Sequence, residues 1–185
     1  LAADWLAATW GQNAGLDVAS PIGARLDDLA TRWTAEDLGL PAAGGALVTG
    51  ATMANLTGLL AAREWLLRRQ GWDVAARGLF GAPPVTVVVG GEVHFSLRKS
   101  LAILGLGKDR VVRVAVDDQG RMRPDAFPVL DGPAIVCLQA GNVNSGAFDP
   151  ASELIPRAKA AGAWVHVDGA FGLWAAAAPA RRHLM

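Results

Sequence analysis

The sequence predicts an α/β fold, a mostly parallel sheet with helices on both faces, from three observations. First, Val85 to Val89 is β-branched throughout and Ala134 to Leu138 is apolar throughout. Neither run alternates with polar residues, as expected of strands covered on both faces. Second, segments with helical spacing separate such runs, and strand-helix alternation of this length implies right-handed crossovers and parallel pairing. Third, Ala163-Trp164-Val165 continues through His166-Val167 into Asp168-Gly169-Ala170-Phe171-Gly172. This brings a carboxylate to a glycine-containing turn beyond a strand's carboxyl end, where open α/β sheets place their chemistry.

Taken in order, Leu1 to Trp10 forms an amphipathic helix ended by the turn formers of Gly11 to Gly15. Ser20-Pro21 reads as a cap followed by proline at the first helical position. Ile22, Leu26, Leu29, Ala30 and Trp33 then make one apolar stripe up to about Leu38. Gly39 and Pro41 stop this helix, and Ala46-Leu47-Val48 is a short strand candidate. Met53 to Gln70 is helical, with Leu56, Leu59, Leu60, Arg63 and Leu67 in register and Gly71 as the stop. The strand Val85–Val89 leads through Gly90-Gly91 to a helix from His94 to Leu104. Val111 to Val116 is a strand, Asp117 to Gly120 a turn, and a short helix starts at Pro124. After the strand Ala134–Leu138 comes the polar loop Gly141–Gly146. Asp149-Pro150 then reads as a cap and first-turn proline for a helix to Ala161, and Ala163 to Val167 is the last strand. Residues 1–40 are expected to form an N-terminal helical segment packing on a larger domain, residues 41–185.

The chain of 185 residues carries 17 basic and 17 acidic side chains with no long block of either sign. That balance gives no electrostatic footprint for nucleic acid or an anionic membrane, and a small-molecule partner is expected instead. No apolar run reaches the ~20 residues of a spanning helix. Cys137 is the one cysteine of the chain, which excludes an intrachain disulfide, and its place inside an apolar run fits a buried thiol in a cytoplasmic protein. The start, Leu1-Ala2-Ala3-Asp4-Trp5, has neither an initiating Met nor a signal-type pattern, as expected of a partial chain.

Four places on the expected rim carry chemistry. Thr49 to Asn55 joins a strand candidate to a helix through small residues, so its amides and the hydroxyls of Thr49 and Thr52 suit a phosphate. An ordinary strand-to-helix turn capped by Thr52 is the alternative. There is no G-x-G-x-x-G after a strand. Gly105-Leu106-Gly107-Lys108 lacks a nucleotide loop's pattern, having Ala102 for the first Gly and Asp109 for Ser or Thr. His94, the loop Gly141–Gly146 and Asp168 also follow strand ends, each with a purely structural alternative. His166 lies within a strand and reads as structural. No Cys/His cluster has metal spacing. The seven tryptophans suggest core or interface packing.

A phosphate cradle, a flat imidazole and a carboxylate would hold a phosphorylated heteroaromatic cofactor. Here the chain resembles the pyridoxal-phosphate-dependent group II amino-acid decarboxylases, the aromatic-L-amino-acid and glutamate decarboxylase relatives. The resemblance rests on Thr49-Gly50-Ala51-Thr52-Met53-Ala54-Asn55-Leu56 with Ala61-Ala62-Arg63, and on Glu92-Val93-His94-Phe95-Ser96. It rests equally on Gly141-Asn142-Val143-Asn144-Ser145-Gly146-Ala147-Phe148-Asp149 and on His166-Val167-Asp168-Gly169-Ala170-Phe171.

The resemblance implies the large domain of a fold-type I enzyme, incomplete here, with pyridoxal 5'-phosphate as cofactor. It implies that Ala51 and Thr52 bind the phosphate, that His94 stacks on the ring and that Asp168 pairs with the ring nitrogen. Ala170 would pack beneath the ring, and Asn144 would be a further cofactor-binding position. His94 and Asp168 are the implied catalytic residues. The implied activity is amino-acid decarboxylation, an aromatic substrate slightly favoured, in a homodimer, and the segment Trp10 to Gly15 would face the substrate. The family's Schiff-base lysine follows the Asp in a segment ending His-Lys that these residues do not include. Lys99, Lys108 and Lys159 stand in other contexts, so these residues by themselves are expected to be inactive and to leave an uncovered sheet edge. Other reactions of fold-type I enzymes, transamination or C–C cleavage, and a non-catalytic module that keeps the pocket are the competing readings.

Overall fold

A computed structural model describes residues 1–11, 13–41 and 44–184, in two compact units, 1–47 and 48–185. The first contains α1 (Ala2–Thr9) and α2 (Pro21–Leu38). Ser20 precedes α2 and Pro21 occupies its first turn, but no side chain caps the helix. Gly39 closes it in the left-handed region, φ 64°, which glycine adopts without a Cβ penalty. The apolar stripe expected of α2 is not a buried face. Ile22, Leu26 and Trp33 are more than half exposed, and only Leu38 is buried. Ala46-Leu47-Val48 forms no strand. Three residues without a neighbouring strand gain no ladder hydrogen bonds to offset the cost of ordering them. Gln12 of the Trp10–Gly15 segment lies outside the described residues.

The second unit contains α3 (Ala51–Arg69), α4 (Val74–Arg77), β1 (Thr86–Gly90), α5 (Phe95–Ile103), β2 (Val112–Val114), β3 (Ala134–Gln139), α6 (Ala151–Ala160) and β4 (Trp164–Asp168). The strands pair in the order β2-β1-β3-β4, all parallel. From β1 the chain goes to one side of the sheet and from β3 to the other. The order therefore reverses between these two central strands, and a crevice opens outside their carboxyl ends.

Period-two alternation splits the core. Val87, Val89, Ile135 and Cys137 meet Leu59, Ala62, Leu66, Leu97 and Leu101 of α3 and α5 on one face. Val88, Val136 and Leu138 meet Leu154 and Ala158 of α6, with Met122 and Phe127, on the other. Arg63 ties the first layer together by donating to the Leu104 carbonyl at 2.8 Å. Of the tryptophans, Trp164 packs against the first core layer, while Trp5, Trp10, Trp33 and Trp174 are at least 60% exposed. Trp65 and Trp164 make an edge-to-face pair with centroids 5.6 Å apart.

Asp149 does not cap α6, whose N-cap is Pro150. Its two carboxylate oxygens instead accept the backbone amides of Met122 and Gln139, each at 2.7 Å. One buried side chain thus clamps the end of β3 to the segment after β2. Burial pushes its pKa up, against the pull of the two amides. Each amide bond to a charged acceptor contributes about 1.5–3 kcal/mol, and the desolvation of the carboxylate offsets part of the sum. Asp149→Ala is therefore expected to cost about 2 kcal/mol, or about 4–8 °C in melting temperature for a domain of this size. A calorimetric shift below one degree would refute the clamp.

Candidate active site

The site is built where the switch point lies. α3 begins at Gly50, which has φ 127° and provides no side-chain cap. The first internal bond at this end is the Ala54 amide to the Gly50 carbonyl, 3.0 Å. The earlier amides, those of Ala51 to Met53, therefore have no carbonyl of the helix to bond. Among the described residues no hydrogen bond is made by these three donors, and the positive end of a 19-residue helix suits an anion.

His94 follows β1 and is the N-cap of α5. Its Nδ1 accepts the Ser96 amide at 3.2 Å and lies 2.8 Å from Ser96 Oγ. Asp168 ends β4. Its Oδ1 accepts the Ala170 amide at 3.2 Å, and its Oδ2 accepts from Asn55 Nδ2 at 3.0 Å. Trp164, His166 and Asp168 share one strand parity, the one that faces α3. Accordingly His166 is buried, with Nε2 2.7 Å from Asn55 Oδ1.

A cavity of about 70 Å³ opens at this rim, lined by Ala51, His94, Ser96, Asp168 and Ala170 among others. The remainder of the site is the exposed edge formed by Ala51, His94 and Ala170. Four of the six expected binding residues thus converge. Thr52 sits one residue into α3, outside the lining, and its carbonyl accepts from Ser100 Oγ at 3.3 Å. Asn144 is exposed and also outside the lining, its amide held at 2.8 Å by Asn142 Oδ1.

Sequence reasoning assigned no role to Asn55, Ser96, Asn142 or Glu92. Asn142 is buried, and its Nδ2 donates to Glu92 Oε2 at 3.0 Å, joining the loop after β3 to the one after β1. A signal for Asn55 was present: with Leu59, Ala62 and Leu66 it occupies the buried stripe of α3, so a polar residue stood at an apolar position. His166 did read as structural, and it is buried, but it also bonds the same amide that holds Asp168.

Burial lowers the His166 pKa, with Asp168 opposing. The neutral imidazole is thus favoured in the fold, and the unfolded chain binds the extra proton. Stability from this group is complete above the unfolded value of about 6.5 and is lost as pH falls through it toward the lower folded value. The melting temperature should therefore decline on acidification below about pH 6.5, with a shallower decline in His166→Gln. An identical acid limb in both proteins would contradict this.

A doubly wound parallel sheet with an anion site, an imidazole and a carboxylate at its switch point defines a cofactor-binding α/β domain. The sequence matches the pyridoxal-dependent decarboxylase conserved domain over residues 1–185. The chain belongs to that family. It is 33% identical over 181 residues to the L-2,4-diaminobutyrate decarboxylase of Rhizobium meliloti (strain 1021), covering 93% of this chain and 34% of that protein. It is 34% identical over 121 residues to human cysteine sulfinic acid decarboxylase, covering 61% of this chain and 24% of that one. The crystal structure of Oryza sativa TDC with PLP and tryptamine superposes with a TM-score of 0.79 at 28% identity, covering 98% of this chain and 40% of the other. The chain spans about a third of the length of the curated relatives it matches.

Proposed function

We propose that this chain supplies the cofactor-binding part of a pyridoxal-phosphate-dependent amino-acid carboxy-lyase. The observation that carries the reading is the convergence of the uncapped start of α3, His94, Asp168 and Ala170 on one cavity at the carboxyl edge of the sheet. The donor set fits the group: free amides for a phosphate, a flat imidazole, a carboxylate for a ring nitrogen, and a methyl where bulk would obstruct. Bound pyridoxal phosphate supplies an electron-poor ring that takes up the electron pair left when carbon dioxide departs from an amino acid.

The chain's own residues bind and orient. The amides of Ala51 and Thr52 would hold the phosphate, and His94 would lie against the ring. Asp168 favours the protonated ring nitrogen, because a carboxylate at hydrogen-bond distance stabilises the cationic form. Asn144 is retained as a proposed contact from the loop after β3. An L-amino acid is the substrate class, handled in a homodimer. The three relatives above bear names or ligands with a basic, an acidic and an aromatic side chain, so an aromatic preference gains no support from them.

The test is to titrate the full-length protein with pyridoxal phosphate, record the visible band, reduce with borohydride and map the labelled residue, alongside carbon dioxide release from a panel of amino acids. Labelling of a lysine outside residues 1–185 with amino-acid-dependent release is expected. Lys99, Lys108 and Lys159 are exposed and none lines the cavity. Stoichiometric labelling of one of them, or no binding at all, would overturn the reading.

A further inference from the structure

Beneath the exposed rim lies a buried polar group that none of the roles above uses. Asn55 is 3% exposed, and a buried amide requires partners for both ends. Its Nδ2 lies 3.0 Å from Asp168 Oδ2 and 3.2 Å from Ser96 Oγ, while its Oδ1 lies 2.7 Å from His166 Nε2. The reversed amide would set oxygen against a carboxylate that can only accept. Asp168 therefore fixes the amide's orientation, and the proton between Oδ1 and His166 must reside on Nε2. With the imidazole neutral, His166 Nδ1 is bare. It lies on the side of Gly58, where a Cβ would come within 3.0 Å of it.

The other branch is equally determined. The Ser96 amide can only donate, so His94 Nδ1 carries no proton. Ser96 Oγ accepts from Asn55 and turns its own proton toward the same Nδ1, 2.8 Å away. His94 is left as the Nε2–H tautomer. One side chain thus sets the direction of the side-chain hydrogen bonds that hold the two rim groups, beside the backbone amides of Ser96 and Ala170.

We propose that Asn55 is a positioning residue that orients Asp168 directly and, by donating to Ser96 Oγ, turns the Ser96 hydroxyl proton toward His94 Nδ1. The inference rests on the proposed cofactor reading only for its effect on binding, because the tautomers exist without the cofactor. The ionisable groups around the amide are Asp168 and His166 on β4, His94 at the start of α5, and Cys137 on β3, which pairs with His166 in the sheet register.

Asn55→Asp discriminates positioning from packing. It keeps the volume and the acceptor for His166 but puts a second carboxylate against Asp168. A purely structural role predicts near wild-type behaviour for this isostere. Positioning predicts that the affinity of the full-length protein for pyridoxal phosphate falls about ten-fold or more near pH 8, and recovers toward pH 6 as the two carboxylates come to share a proton. Wild-type affinity with no pH dependence in Asn55→Asp would overturn the proposal.

The second measurement needs no variant and no cofactor. Solid-state 15N spectra of the histidine-labelled, cofactor-free protein should show His94 and His166 both as Nε2–H, with the bare His94 Nδ1 resonance alone shifting in Ser96→Ala, where the backbone amide is its one remaining donor. Either ring carrying its proton on Nδ1 in the wild type would sink the inference. A wild-type protein that fails to bind pyridoxal phosphate defeats the cofactor reading separately, and the 15N result still decides the assignment of the network.

Discussion

Replacing Asp168 with Ala in the full-length protein is expected to remove turnover more completely than it removes cofactor binding. Loss of one hydrogen bond to a charged group costs about 1.5–3 kcal/mol, or about 10–150-fold in affinity. That loss is felt in the resting complex. The rate carries a further penalty, because the carboxylate keeps the ring nitrogen cationic while negative charge is being delivered to the ring. Removing one electrostatic stabiliser of developing charge costs about 10²–10³ in kcat. The check is to measure pyridoxal phosphate affinity at equilibrium and single-turnover carbon dioxide release on saturated enzyme. Asp168→Asn keeps the shape and loses the charge, so it should follow Ala in rate, and because its NH2 must face one of the two donors that Asp168 accepts, it should also lose some melting temperature. Unchanged turnover in either variant would defeat the assignment of Asp168.

Gly141→Ala should be strongly destabilising. Gly141 has φ +94°, and a Cβ there would meet the Gly172 amide nitrogen at 2.7 Å and its Cα at 2.9 Å. The obstructing atoms are backbone, so no rotamer change relieves them. Gly172 is itself held by its amide bond to the Ala140 carbonyl, 2.8 Å. Strain at positive φ costs about 1–3 kcal/mol and overpacking about 1–3 kcal/mol more. The sum is about 2–6 kcal/mol, and the turn that pins the loop after β3 against the loop after β4 must open. Denaturant unfolding of both proteins tests this. A loss under about 1 kcal/mol would show that the two loops part without cost.

How much was legible in the sequence follows the range of the forces involved. Val85–Val89 and Ala134–Leu138 showed buried parallel strands because burial on two faces removes alternation, a property each segment carries alone. The helices beginning near Ala51 and at Phe95, and Asp168 beyond its strand, could be read the same way. Asp149-Pro150 misled because the pair has the residue types of a cap. Only the tertiary structure shows the carboxylate spent on two distant amides instead. The α2 stripe shows which face of that helix is apolar, and whether anything covers the face is a property of other residues.

The sequence by itself thus determined the α/β class, the parallel strands and the presence of His94, Asp168, Ala51 and Ala170 at element ends. Strand and helix periodicity and turn chemistry are local, and they read out directly. The tertiary structure alone decided that these four share a cavity while Thr52 and Asn144 stand outside its lining. It alone decided that Asn55, 113 residues from Asp168 along the chain, directs the hydrogen bonds around that carboxylate. Hydrogen bonds act over about 3 Å, and no spacing in the sequence records which groups the fold brings that close.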